Sequence, residues 1–398
     1  MATQLAQELL VTIVGHVHDK PTLKSCALTS SRLHTLSQRG LFSSFRISLA
    51  SPSRAPTTSY KVVNRRFLQS PRLAGYVTTL TVGFPFGLSA IATAADVRAL
   101  RLLLGQLKRV RQFTLESENY FVWSISPVEI SLCAPILDFI RRMNLLQLHI
   151  RSIRHIPLAT LAAFFCAAQT LGIHNAAVHW APQDITAALP RARVEHLRLT
   201  DCDSVVAKLR RHQFAPLAAN VRRMWITMRT DYPTFQFGHD LARRLEYLRV
   251  EWPLLRLLER PMDPIQPLVA LRTLDLSYRF FDRDVEPSSV AILEPLFSCT
   301  TAALAEVRFA YTLGENDFGQ HYFHVDTLAA AAAALDKCPG AHSDAPRIRW
   351  YLSVEGMRAR KEHHLVQFTA SLQAGLPHIH EQGRLYVQNR AFTDDWGD

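Results

Sequence analysis

Val194-Glu195-His196-Leu197-Arg198-Leu199-Thr200-Asp201-Cys202 sets apolar residues at i, i+3 and i+5 and places polar or charged residues between them. In an extended chain Leu197 and Leu199 share one face, so His196, Arg198 and Thr200 take the other. The same pattern begins at Val77, Val110, Leu145, Ala168, Val221, Leu245, Leu271 and Leu304. Successive starts, Val194 included, are separated by 33, 35, 23, 26, 27, 24, 26 and 33 residues. Spacing alone does not decide the fold, because a chain with 48% apolar residues produces such triplets by chance.

Order is more informative. Helix-compatible stretches lie between the candidate strands, among them DVRALRLLLGQLKRV, PLATLAAFFCAAQ and DTLAAAAAALDKC. Most of the intervals match or slightly exceed the roughly 20–29 residues of a leucine-rich repeat. Cys202 also falls where that repeat often places Asn or Cys to bond turn backbone, so the region resembles an irregular leucine-rich-repeat-like array. The competing structure is an ordinary alternating α/β fold, whose strands are buried on both faces and read as continuous apolar runs. Alternation with Arg, Thr, Glu and His favours one solvated face, hence a solenoid. Beyond Leu304 the register is poorer, although RIRWYLSV adds a candidate strand.

At the N-terminus Leu5, Leu9, Leu10, Ile13, Val14 and Val17 recur at steps of three and four, which predicts a helix of about three turns. Asp19 and Lys20-Pro21 break it, and Leu23, Cys26, Ala27 and Leu28 predict a second short helix with Pro21 at its start. A third begins at Ser30 or Ser31, carrying Leu33 and Leu36, and the period changes after Gly40 in LFSSFRISL. Three such helices bury too little apolar surface to stand securely alone.

The run LAQELLVTIVGHVHDKPTLKSCALTSSRLHTLSQRGLF, followed by FLQSPRLAGYVTTLTV, resembles an F-box protein of the kind abundant in mushroom-forming fungi. The resemblance covers residues 5–49 and 61–82. It implies docking on the Skp-type adaptor of a cullin–RING ubiquitin ligase through Leu5, Leu9, Leu10, Ile13, Val17, Leu23, Cys26, Leu28, Leu41 and Phe42. Two positions depart from the family pattern. Leu5-Ala6 stands for the usual Leu-Pro, and Thr29-Ser30-Ser31-Arg32-Leu33 for the usual Val-Ser-Arg-x-Trp. The alternative is a helical cap on the array.

The expected architecture is therefore α/β (α+β repeats): a three-helix F-box-like segment over 1–49, a linker and connecting helix over 50–76, and an irregular leucine-rich-repeat-like solenoid over 77–398. Its solvated face would carry a central row of Thr79, Thr114, His149, Gly172, Arg198, Trp225, Arg249, Asp275 and Arg308. Arg223, Tyr247, Glu251, Arg151 and His196 flank that row. Trp225 and Tyr247 among arginines suit a partner hot spot, and arginine forks suit carboxylate or phosphate. His149, Arg198, Arg223, Trp225, Tyr247, Arg249, Asp275 and Arg308 are accordingly the partner-binding candidates, and an acidic or phosphorylated protein segment is the expected substrate.

Composition narrows the remaining classes. The net charge of +11 is spread along the chain and lacks a nucleic-acid-binding motif, so nucleic acid is not expected as a specific partner. No run of about 18 apolar residues could span a bilayer, and the N-terminus lacks a signal-peptide pattern. A soluble protein of cytoplasm or nucleus, without a membrane partner, is expected. The six cysteines are scattered and form no C-x-x-C pair. His16/His18, His363/His364 and His378/His380 lack further ligands at metal-site spacing. No P-loop, G-x-G-x-x-G, G-x-S-x-G or H-E-x-x-H pattern occurs, so neither an enzyme, a cofactor nor a metal is expected. Two functions remain: a substrate-recognition subunit of a ubiquitin ligase, or a non-catalytic scaffold whose F-box-like segment no longer binds the adaptor.

Overall fold

Apolar and polar residues alternate along most strands, and parallel pairing decides where each set goes. The computed structural model describes residues 7–48, 58–84, 94–123, 127–179, 192–209, 214–227, 239–252, 267–280, 303–313, 349–355, 366, 369–370, 373–375 and 377–388. Leu5, Cys299, Cys338, His363, His364 and the expected helix over DTLAAAAAALDKC lie outside the described residues. The chain divides into two compact units, Met1–Val194 and Glu195–Asp398.

The first unit begins with helices α1 (Gln7–Gly15), α2 (Lys20–Thr29) and α3 (Ser31–Ser43). Asp19 caps α2 by accepting from the Thr22 N–H at 2.8 Å, with Pro21 in the first turn where its missing N–H costs nothing. These hydrogen bonds from Thr22 hold the Asp19 carboxyl below its ordinary pKa. Ser30 caps α3 through the Arg32 N–H. Val14, Leu23 and Leu36 form a small core, with Leu10, Val17, Leu33 and Leu41 packed on it.

The chain then continues through β1 (Ser44–Ser48), β2 (Thr58–Ser59), α4 (Tyr60–Gln69), α5 (Pro71–Ala74), β3 (Thr79–Phe84), α6 (Ala94–Gln106), β4 (Gln112–Val122), α7 (Pro127–Arg142), β5 (Leu145–Arg154), β6 (Ile156–Pro157), α8 (Leu158–Ala167), β7 (Ala168–His174) and β8 (Val178–His179). In space the strands run β2-β1-β3-β4-β5-β7, every neighbour parallel, and β6 pairs β8 separately. Parallel neighbours need a crossover that brings the chain back to the same end. Here α4, α6, α7 and α8 supply it and pack in series, each on the next. Gln106 donates to Asn64 at 2.8 Å between α6 and α4, and Arg142 to the Leu104 carbonyl at 3.1 Å between α7 and α6. Leu80, Val82, Phe113, Leu115, Leu148, Ile150, Leu171 and Ile173 are buried, as are Phe67, Leu103, Phe139 and Phe164 of the helices. The Phe113 and Phe139 rings lie 5.4 Å apart.

The second unit contains β9 (His196–Thr200), α9 (Asp203–Leu209), α10 (Ala215–Ala218), β10 (Arg223–Thr227), α11 (His239–Arg244), β11 (Tyr247–Trp252), β12 (Thr273–Phe280), β13 (Glu306–Leu313), β14 (Arg349–Glu355), α12 (Pro377–Glu381) and β15 (Leu385–Gln388). Its seven described strands pair in parallel and in chain order. Leu197, Leu199, Met224, Ile226, Leu248, Val250, Leu274, Leu276 and Val307 are buried. Cys202 donates to the Thr200 carbonyl at 3.1 Å, and Asp201 beside it takes φ 55° in the turn leaving β9.

The structure corrects the expected architecture. Instead of a separate three-helix segment followed by an irregular leucine-rich-repeat-like solenoid, the chain builds large all-parallel α/β sheets with crossover helices. The N-terminal helices lead directly into the first sheet, because β1 follows α3 at Ser44 and pairs with β3 from Ser44 opposite Thr79 to Ser48 opposite Gly83. Helices α6 and α7 have 13 and 16 residues and β4 and β5 have 11 and 10, the dimensions of α/β crossovers rather than of short repeats. Alternation along these strands does not imply a solvated face. Glu251, Asp275 and Ser277 sit at alternating polar positions and are nevertheless buried.

At Gly172 an added Cβ would lie 2.5 Å from His149 Nδ1 on the paired strand. Gly172→Ala is expected to lower the unfolding free energy by about 1–3 kcal/mol in urea titrations. In a His149→Ala background the same change should cost less than about 0.5 kcal/mol. Equal losses in both backgrounds would show that the ring is not what the methyl group meets.

Candidate functional site

Register brings five of the candidate residues into one lateral row of the second unit. Arg198 on β9 pairs with Trp225 on β10, Trp225 with Arg249 on β11, Arg249 with Asp275 on β12, and Asp275 with Arg308 on β13. Arg223 and Tyr247 are paired neighbours one step along the same face. His149 belongs to the first unit, in a row Thr81, Thr114, His149, Gly172. That row takes Thr81, not Thr79, opposite Thr114. Thr79 pairs with Gln112 and donates to its side chain at 3.1 Å.

Trp225 is held between two guanidinium groups. The Arg198 carbon lies 3.5 Å and the Arg249 carbon 4.1 Å from its ring centroid. Arg223 stands over the Tyr247 ring at 4.9 Å. Each contact of this kind contributes roughly 0.5–2 kcal/mol, more as water is excluded. Water is largely excluded here, since Trp225 is 4% and Tyr247 7% exposed.

Carboxylates fix the other end of the row. The Trp225 Nε1–H and the Thr227 hydroxyl both donate to Glu251 Oε2, at 3.3 and 3.1 Å. The Tyr247 hydroxyl donates to Asp275 Oδ2 at 2.8 Å, and Arg249 lies 4.0 Å from the same oxygen. Arg308 donates to Glu306 Oε1 at 2.7 Å. Burying such charges is costly, and arrangements of this kind survive only where pairing and hydrogen bonds offset the lost hydration.

The titration tendencies follow from these neighbours. Burial, followed by the Asp275 charge and its hydrogen bond, pushes the Tyr247 phenol well above the ordinary tyrosine range. Burial works against the Arg308 cation, but the hydrogen bond and charge of Glu306, joined by Tyr247 and Asp275, outweigh it and the pKa rises. His196 is pulled down by burial and then by Arg223, which outweighs the opposing effect of Glu195.

The adaptor-facing candidates divide into two sets. Leu23 is buried, Leu10, Val17 and Leu41 pack around it, and Cys26 and Phe42 are half-buried. Leu9, Ile13 and Leu28 stand in solvent, at 51%, 52% and 89% exposure. Phe42 stacks on Phe45 at 5.7 Å, and Phe45 meets Phe67 at 5.3 Å, so the end of α3 is tied to α4.

Glu306 and Thr227 complete the network and were not among the sequence candidates. Their signal was period two: Glu306 lies two residues before Arg308 and Thr227 two after Trp225. No group of three or more His, Cys, Asp or Glu able to hold a metal occurs among the described residues. No described helix is long and apolar enough to cross a membrane. Comparison with protein-family models gives no match, and neither does comparison with curated proteins.

Tyr247→Phe removes the hydroxyl from Asp275 and should cost about 1–3 kcal/mol at neutral pH. A pH effect accompanies it. The folded phenol keeps its proton where an unfolded tyrosine loses it, so stability should fall as pH rises past about 10. Urea unfolding at about pH 8 and about pH 11 should show a steeper decline for the parent chain than for Tyr247→Phe. Equal declines would contradict the assignment.

Proposed function

We propose that this chain is a non-catalytic adaptor whose N-terminal helices dock on the Skp-type adaptor of a cullin–RING ubiquitin ligase, while the sheet region holds a protein substrate. The observation that carries the reading is the apolar surface left by α1 and α2. Five of the nine residues of α1 are apolar and lie in the run Leu9–Val14, a composition suited to burial. Yet Val14 is the one buried residue of this helix. Leu9 and Ile13, one turn apart, stay in solvent beside the small core, and Leu28 on α2 does the same. Fully burying one such side chain contributes about 1.5–3 kcal/mol, so covering three supports specific docking. The resemblance of this segment to an F-box implies the partner class.

A second reading keeps the scaffold and removes the ligase. Leu33 stands where the family usually has tryptophan, and its side chain is spent partly within the small core. Docking through a large aromatic anchor is then lost.

The test uses surface substitutions, since deleting residues 1–48 would also remove β1 from the sheet. The full chain should co-purify with a Skp-type adaptor, and Leu9→Asp with Ile13→Asp should weaken that association at least tenfold. Circular dichroism and thermal unfolding should be unchanged, because both side chains are exposed. Failure of the parent chain to retain the adaptor would remove the ligase reading and leave the scaffold.

A further inference from the structure

The net charge of +11 is spread along the sequence, but parallel pairing gathers part of it. Strands β3, β4 and β5 run side by side in one direction, so the connections that lead into them emerge at one end of the sheet. Backbone bonds hold those connections together: the Arg111 N–H donates to the Thr78 carbonyl at 2.7 Å and the Leu146 N–H to the Arg111 carbonyl at 2.8 Å. Residues 67–78, 103–111 and 139–146 supply Arg72, Lys108, Arg109, Arg111, Arg141 and Arg142, and no Asp or Glu. All six cations are exposed.

Their charge is not spent inside the chain. Among the described residues none of the six pairs with a carboxylate. Arg111 and Arg142 donate to the Asn144 and Leu104 carbonyls, at 3.4 and 3.1 Å, which leaves their charge in place. Asp138, the acid closest in sequence, lies one turn before Arg142 on α7 and offsets one charge of the six. A cation in a last turn complements the helix dipole, which accounts for Arg141 and Arg142. Lys108, Arg109 and Arg111 lie beyond the end of α6 at Gln106 and have no such reason to be there.

The same connections carry two leucines in solvent, Leu68 at 62% and Leu146 at 51% exposure. A nucleic-acid backbone would use the cations and gain nothing from the leucines. The buried centre of a protein interface is poor in lysine and in single-signed charge. An anionic bilayer uses both sets, the cations at its headgroups and the leucines at the acyl boundary. Such attachment needs no helix long enough to cross the membrane.

We propose that this end of the first unit binds an anionic phospholipid surface, with the six cations against the headgroups and Leu68 and Leu146 entering the interfacial layer. The inference does not rest on the adaptor reading, which concerns α1 and α2.

Co-sedimentation of the full-length chain with vesicles tests it at physiological salt. Vesicles of phosphatidylcholine with about three parts in ten phosphatidylserine should retain the chain, and phosphatidylcholine alone should not. Changing Arg72, Lys108, Arg109 and Arg141 together to Gln should weaken retention at least tenfold. The same charge removed at Arg32, Arg151, Arg154 and Arg243, also exposed or at a helix end elsewhere, should change it less than twofold. Leu68→Ser with Leu146→Ser should weaken retention at least threefold. Equal losses in the two charge variants, equal retention on both vesicles, or no loss in the leucine variant would overturn the proposal. So would tighter retention of duplex DNA through the same cations, which would assign the end to nucleic acid. A measurement on the unsubstituted chain guards against misfolding: lysine acylation read by mass spectrometry should show vesicle protection at Lys108. Protection confined to other lysines would refute the site. Leu9→Asp with Ile13→Asp should leave retention intact, and its loss would place the contact on α1 instead.

Discussion

Parallel pairing is the constraint from which the rest of this structure follows. A chain that pairs each strand in parallel with its neighbour must travel back between them, and a helix is the usual way to do so with every backbone group satisfied. In the first unit those helices pack in series and bury Leu80, Phe113, Leu148, Leu171 and their strand partners. Polar residues at the alternate positions are left to make their own arrangement. In the second unit they solve this by pairing across strands, and a fixed register places arginine, tryptophan, arginine, aspartate and arginine side by side.

That row resembles a small buried layer more than a wet surface. Asp275 is wholly buried and Glu251 nearly so, which would be prohibitive for isolated carboxylates. Tyr247, Trp225, Thr227 and the neighbouring arginines make it tolerable by directing donors at both. The same contacts lock Trp225 and Tyr247 in place.

Much of this was legible in the residues, and the failures have definite causes. All nine triplets from Val77 to Leu304 lead into strands, because period two records the pleat directly. Pro21 marks the start of the second helix and Ser30 that of the third, and the structure adds that Asp19 and Ser30 cap them. Register was legible to within two residues, Thr81 replacing Thr79. Burial was not legible: a lone sequence cannot show that Tyr247 reaches Asp275 twenty-eight residues away, so buried polar residues read as solvated ones. The pairing of β1 with β3 is long-range and leaves no local mark in LFSSFRISL. The apolar spacing of α1 likewise merged two sets that the structure separates, Leu10 and Val14 inside, Leu9 and Ile13 outside.

The same division gives the N-terminal helices their meaning. Leu10, Val14, Leu23 and Leu36 satisfy the local need for a core, whereas Leu9, Ile13 and Leu28 are more apolar than a solvent-facing surface requires. A partner that covers them is the central claim. Hydrogen–deuterium exchange of the full chain, with and without a Skp-type adaptor, tests it most directly. Slowed exchange concentrated in residues 7–29, with the sheet strands unchanged, is the result expected. Unchanged exchange in that segment, or protection confined to the sheet, would contradict it.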